Sequence, residues 1–206
     1  MVLVAADGFR LGERQVELPS EVATPLKLMI PAKAMIELAR LIGKKPKDTL
    51  PSVSITGDTC VFSYDNVELA IRLGEGNYPD YKVIFPKHHT THVTAHIEQF
   101  LKACKTLSKI QNSRVELILK VDESGLTLIA KDADGVVDPS QIKIPTTLIG
   151  KPMTIAFNKE YLIDGLGAIS APEVALELTT PTSPGVLRPL GKDDYQYITM
   201  PMHLGK

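Results

Sequence analysis

Met153-Thr154-Ile155-Ala156-Phe157-Asn158-Lys159-Glu160-Tyr161-Leu162 changes its period halfway along. Residues 153–157 form a short apolar run of the sort a buried strand makes. Asn158 suits an N-cap, because its side-chain oxygen can accept from the unpaired N–H groups of a first helical turn. After it, Leu162, Ile163, Leu166 and Ile169 recur at helical spacing. Three strand-like stretches follow at 174–178, 185–190 and 195–200. The unit reads strand, helix, three strands.

The same unit occurs earlier in the chain. Met29-Ile30 ends a short apolar stretch expected to be a strand, and Pro31 suits the first helical position, where its missing N–H costs nothing. Met35, Leu38, Ala39 and Ile42 then keep helical spacing, with Gly43 placed to end the helix. Stretches 52–56, 60–64 and 67–72, joined by Thr56-Gly57-Asp58-Thr59 and Tyr64-Asp65-Asn66, read as a meander.

What precedes each unit matches only in part. Leu128-Ile129-Ala130-Lys131-Asp132, leading to Gln141-Ile142-Lys143-Ile144, is similar to Leu3-Val4-Ala5-Ala6-Asp7 leading to Gln15-Val16-Glu17-Leu18. In the later copy a strand at 92–95, a helix at 97–110 and a strand at 114–121 come first. The earlier copy has no counterpart, so the expected division is an incomplete domain at 1–88 and a complete one at 89–206. A sheet lacking that piece would expose an edge and an apolar face.

Composition is that of an ordinary globular chain: 206 residues, 44% hydrophobic and 23% charged. No apolar run approaches the roughly 18–20 residues of a membrane-spanning helix, and the start shows no signal-peptide pattern, so a cytoplasmic location is expected. Cys60 and Cys104 lack CxxC spacing and sit in apolar patterns, as buried free thiols do. A formal net charge of −1 makes the chain as a whole no polyelectrolyte partner for nucleic acid, but leaves room for a local basic face.

Five segments, among them Ala5-Ala6-Asp7-Gly8-Phe9-Arg10-Leu11 and Tyr197-Ile198-Thr199-Met200-Pro201-Met202-His203-Leu204, together resemble the bacterial sliding clamps, the DNA polymerase III beta subunits. Ala5-Ala6-Asp7-Gly8-Phe9-Arg10-Leu11 is similar to the family's A-T-D-G-H/F-R-L. Gly76-Asn77-Tyr78-Pro79-Asp80-Tyr81 with Phe85-Pro86-Lys87 resembles G-x-F-P-D-Y and its following proline. Phe157-Asn158-Lys159-Glu160-Tyr161-Leu162 resembles F-N-x-x-Y-L, Leu178-Thr179 with Pro181-Thr182-Ser183-Pro184 resembles L-T-x-P-T-S-P, and Tyr197-Ile198-Thr199-Met200-Pro201-Met202-His203-Leu204 resembles Y-x-x-M-P-M-R-L. The resemblance runs through nearly the whole chain. It implies an α+β clamp fold, with an antiparallel outer sheet and two inner helices per domain, the first domain here being incomplete.

The resemblance also implies a peptide-binding cleft lined by Gly8, Phe9, Arg10 and Leu11, by Pro79, Val83 and Ile84, by Pro184, and by Ile198, Met200, Pro201, Met202 and His203. Methionine is flexible and polarisable, which suits a cleft serving varied partners. Ala6 stands for the family's threonine and His203 for its arginine. The implied partners are duplex DNA, the catalytic subunit of the replicative polymerase, the clamp loader, other proteins bearing clamp-binding peptides, and further copies of the chain, with a candidate ring-contact surface around Thr106 and Leu107. A membrane is not among them.

For DNA, two basic stripes stand out: Lys33, Arg40 and Lys44 on the first helix, and Lys102, Lys105 and Lys109 on the second. Apart from Glu37, neither has acidic partners at i,i+4. Point charges on phosphates, with no base reading, suit a protein that slides. The third helix is expected to be weaker, with Gly165 and Gly167 each costing about 1 kcal/mol relative to alanine. No catalytic residue, cofactor or metal is called for. His88, His89, His92 and His96 have no acidic or cysteine ligand at a matching spacing, Gly74-Glu75-Gly76 is no phosphate loop, and Cys104 lies on an apolar helix face. A non-catalytic processivity clamp is the leading expectation, and a peptide-binding module that does not encircle DNA is the alternative. An enzyme using the histidines is the third reading.

Overall fold

A computed structural model describes residues 1–20, 22, 24–43, 50–110, 113–132 and 140–204. The chain begins with β1 (Val2–Ala6), β2 (Arg10–Gln15), α1 (Ala32–Ile42), β3 (Ser52–Thr56), β4 (Thr59–Tyr64) and β5 (Val67–Arg72). After a 3-10 turn at Tyr81–Ile84 come β6 (Thr91–His96), α2 (Ile97–Ser108), β7 (Ser113–Asp122), β8 (Gly125–Asp132), β9 (Ser140–Ile144) and β10 (Thr146–Gly150). The rest is β11 (Met153–Asn158), α3 (Lys159–Gly167), β12 (Glu173–Leu178), β13 (Gly185–Pro189), β14 (Tyr195–Thr199) and β15 (Pro201–Met202). Two compact units result, one of Met1–Leu18 with Tyr81–Lys206, the other of Pro19–Asp80.

In the smaller unit β3, β4 and β5 form an antiparallel meander. Its core is Leu38 of α1 with Cys60, Phe62 and Ile71, flanked by Ile30, Ala34, Met35 and Ile42. Gly43 ends the helix at φ 74, its N–H bonded to the Ala39 carbonyl, a conformation that favours glycine. Pro31 stands at the N-cap, one residue ahead of its expected position. The strand expected to end at Met29-Ile30 does not form. Between Pro25 and Pro31 this stretch makes a backbone bond from Gly74 N–H to the Met29 carbonyl, 2.7 Å, and no ladder.

The larger unit holds a seven-stranded sheet, in the order β1-β2-β14-β13-β12-β6-β10, and a five-stranded sheet, β15-β11-β7-β8-β9. All pairings are antiparallel. One core joins both sheets to α2 and α3, including Phe100, Cys104, Leu107, Leu117, Leu128, Phe157, Leu162, Leu166 and Leu176. Asn158 caps α3 as its position suggests, its Oδ1 accepting from Glu160 N–H at 2.9 Å and Tyr161 N–H at 3.4 Å. Gly165 is more than a weak helix former. It is buried, and a Cβ there would lie 2.6 Å from the Tyr197 ring, so the glycine lets α3 approach β14.

Two elements depart from the sequence reading. The strand expected over Gln15-Val16-Glu17-Leu18 stops at Gln15, with Pro19 close behind. β10 has no strand signal of its own, since Pro145 before it and Gly150 at its end are loop punctuation. Within the larger unit β2 pairs with β14 from Arg10↔Thr199 to Arg14↔Tyr195, which joins the first hairpin to the C-terminal strands.

Candidate functional site

β2 is sided, as strand alternation requires. Arg10, Gly12 and Arg14 turn toward α3 and the tyrosines of β14. Arg10 donates to Asp164 at 2.6 Å and to Asp7 at 2.8 Å, with its guanidinium 4.3 Å from the Tyr161 ring centre. Burial disfavours the charge on Arg10, but the bonds to Asp164 and Asp7 outweigh it and raise its pKa. Arg14 donates to Asp194 at 3.0 Å and to the Ala168 carbonyl at 2.7 Å. On the opposite side Leu11 packs with Val186 and Ile198, all buried, and Glu13 is buried as well.

Residues 81–90 lie across that second side as a strap. Tyr81 donates its hydroxyl to Glu13, which also accepts from Gln196 at 2.9 Å. Burial pushes the Glu13 carboxyl up, but these bonds prevail and hold it below the usual range. Tyr81 and Phe85 pack on the Leu11, Val186 and Ile198 cluster. At the far end Thr90 N–H bonds the Leu178 carbonyl at 2.9 Å, and Thr179 donates to the His88 carbonyl at 2.8 Å. With the chain so pinned, Val83 is left 75% and Ile84 44% exposed.

The hairpin tip and the C-terminal strand add further apolar surface. Asp7 Oδ1 accepts from the N–H groups of Phe9 and Arg10, both at 3.1 Å, and Gly8 takes φ 87. This turn leaves Phe9 61% exposed. Met200, 45% exposed, donates its N–H to the Phe9 carbonyl at 2.8 Å. There the chain leaves the seven-stranded sheet, and Pro201 and Met202 pair with Phe157 and Ala156 of the five-stranded one.

The larger unit therefore brings together Phe9, Leu11, Ile198 and Met200, with Pro201 and Met202 half-buried just beyond and His203 exposed. Val83 and Ile84 sit on the strap over the same sheet, and half-buried Pro184 leads into Gly185, where a Cβ would lie 2.5 Å from the Phe157 ring. Arg10 is directed the other way, onto α3. Pro79 is exposed and belongs to the smaller unit. Glu13, Tyr81 and Phe85, which set the strap, are not among the residues the sequence motifs pick out for the site. The signal that could find Glu13 is its alternation, with Leu11, against Arg10, Gly12 and Arg14.

Lys102 and Lys105 on α2 and Lys109 at its C-cap are exposed, opposite buried Ile97, Phe100, Ala103, Cys104 and Leu107. Thr106 is exposed and Leu107 buried. Burial pushes the Cys104 thiol up to about 12, which suits a core residue rather than a nucleophile. On α1, Lys33 is exposed, while Arg40 is held by Glu37 at 2.6 and 3.0 Å; Lys44 lies outside the described residues. The histidines do meet an acid: Glu177 lies 3.1 Å from His89 Nε2 and 3.6 Å from His92 Nδ1. Arg188 also donates to it at 3.1 Å, a neighbour that opposes a cation. Among the described residues no group of three histidine, cysteine or acidic side chains is placed to hold a metal ion, and no helix is long and apolar enough to cross a membrane.

Antiparallel sheets with two helices packed side by side, and a C-terminal strand that crosses between sheets, form the fold of the bacterial DNA clamps. A sliding clamp from Bacillus subtilis superposes with a TM-score of 0.90 at 21% identity, over 99% of this chain and 54% of that one. A DnaN sliding clamp from Bartonella birtlesii, solved bound to griselimycin, gives 0.87 at 27% identity, over 98% and 54%. The chain belongs to the DNA polymerase III beta subunit family: residues 1–80 match its central domain and residues 82–203 its C-terminal domain. The beta sliding clamp of Synechococcus elongatus is 30% identical over 97% of this chain, and that of Staphylococcus aureus 24% over 98%. The chain spans about half the length of these curated relatives, 54% and 53%.

Proposed function

We propose that the chain supplies the partner-binding part of a cytoplasmic DNA-replication processivity clamp, a non-catalytic accessory subunit that tethers a polymerase and other proteins to DNA. In this reading residues 1–88 correspond to part of a middle clamp domain and 89–206 to a whole last domain. The carrying observation is the exposure of Phe9, Met200, Val83 and Ile84 beside Tyr81 and Phe85, which pack on the buried Leu11, Val186 and Ile198 cluster. Its occupant is a short peptide with leucine and phenylalanine anchors. Burying two such side chains contributes about 1.5–3 kcal/mol each, and ordering the peptide offsets several kcal/mol of the total interaction. The two anchors alone total about 3–6 kcal/mol, short of the roughly 8 kcal/mol of a micromolar complex. Affinity weaker than micromolar is therefore expected unless residues flanking the anchors add contacts. The Bartonella relative was solved bound to griselimycin, and that compound is a second probe to test on this chain.

Duplex DNA is the other partner, met by Lys102, Lys105 and Lys109 through phosphates alone. Lys33 and Arg40 on α1 are the corresponding groups, with Lys44, outside the described residues, following them in the sequence. A second reading, a peptide-binding module that does not encircle DNA, is favoured by one observation: apart from Pro79, the apolar lining lies within a single compact unit. Fluorescence anisotropy of a labelled peptide tests the peptide site. Saturable binding by the wild type, abolished in Met200→Lys with circular dichroism unchanged, is expected. Undiminished binding by Met200→Lys would remove this surface from consideration.

A further inference from the structure

The strap has a feature that peptide binding does not use. His89 is mostly enclosed, its side chain 19% exposed, with Nε2 3.1 Å from Glu177 Oε2 on β12. Its Nδ1 is buried and has no hydrogen-bond partner among the described residues. The charged and titratable groups around it are Glu177 on β12, Arg188 on β13, His92 on β6 and His88 on the strap itself.

We propose that His89 is a proton-operated latch, which in its neutral form pins the strap to β12 and on protonation lets it go. In the neutral ring the proton sits on Nε2, the nitrogen 3.1 Å from Glu177 Oε2, and the buried Nδ1 is only an acceptor. Protonation places an N–H at Nδ1 where no acceptor lies, and a buried charged donor without a partner is costly. Glu177 favours the cation, but it is already shared with Arg188 at 3.1 Å and with His92. Burial lowers the His89 pKa first; Glu177 opposes this, while Arg188, His92 and His88 add to it. A depressed folded-state value means the latch is fully closed above the ordinary histidine pKa of about 6.5. It opens as the pH falls below that value and through the folded one. The strap carries Val83 and Ile84, so acidification loosens one wall of the apolar surface. That consequence for partner binding rests on the proposed function; the latch itself does not.

The test is a pH titration of the whole chain by 15N NMR without any peptide, so that failure of the latch and failure of the peptide site are separate results. In the wild type, His89 is expected as the Nε2–H tautomer with a midpoint below about 6.5. The amides of Phe85, Lys87 and His88 should move with that midpoint, while those of Val93 and Leu176 stay still. His89→Gln keeps a donor for Glu177 but cannot be protonated, and should abolish the strap transition. Arg188→Gln removes the facing cation and should raise the midpoint. An Nδ1–H tautomer, a midpoint at or above about 6.5, an unmoved midpoint in Arg188→Gln, or a strap transition surviving in His89→Gln would each overturn the latch. The wild-type tautomer and the Arg188→Gln midpoint decide the matter even if His89→Gln fails to fold.

Discussion

Gly165→Ala and Gly167→Ala add the same methyl group to the same helix and should shift stability in opposite directions. On propensity alone each gains about 1 kcal/mol. At Gly167 a Cβ meets nothing within 4 Å, so most of that gain should appear. At Gly165 it would lie 2.6 Å from Cδ1 and Cε1 of Tyr197 and 3.0 Å from Cγ. The ring cannot step aside easily, being buried and tied by its hydroxyl to the Tyr161 carbonyl at 2.9 Å. Overpacking of this kind costs about 1–3 kcal/mol, leaving Gly165→Ala about 1 kcal/mol less stable than wild type once propensity is credited. The gap between the two variants is then about 2 kcal/mol, or several degrees in Tm at about 2–4 °C per kcal/mol for a chain of this size. Urea denaturation followed by circular dichroism measures it, with an unchanged m-value showing that the same transition is compared. Equal stabilisation by both would refute the close approach of α3 to β14.

Tyr81→Phe should destabilise the larger unit by about 1–3 kcal/mol, because buried Glu13 loses a donor; an unchanged urea midpoint would show that the strap is not held there. Glu13 is held below the usual carboxylate range, so its contribution is present above about 4.5 and disappears as the pH falls through the folded value. Acid denaturation of Glu13→Gln should therefore show a shallower pH dependence than wild type. Replacing Lys102, Lys105 and Lys109 with glutamate should weaken DNA binding, and should reduce the slope of log K against log salt by about 0.9 for each phosphate no longer neutralised. An unaltered slope would leave these lysines as solvated surface.

The helix and three strands of each repeat unit are legible in the sequence because their signals are local: the Asn158 cap, helical spacing in α1 and α3, and tight turns in the β3–β5 meander. The helix faces are legible for the same reason. What escapes is set by partners far away in sequence. Nothing near Tyr81 announces Glu13, and nothing near His89 announces Glu177, yet these pairs fix both ends of the strap. Gly165 reads as a weak point since its neighbour Tyr197 is distant in the chain. Arg10 carries the family motif's position, but strand alternation directs it to Asp164 while Phe9 and Leu11 take the other side.

Peptide docking on the surface formed by the hairpin tip, the strap and the C-terminal strand is tested most directly by amide mapping. The 15N-labelled protein is titrated with an unlabelled peptide bearing leucine and phenylalanine. Saturating shifts are expected at Phe9, Leu11, Val83, Ile84, Met200 and Met202, with α2 and β10 unchanged. No saturable shift up to millimolar peptide, or shifts centred on α2 or β10, would contradict docking at this surface.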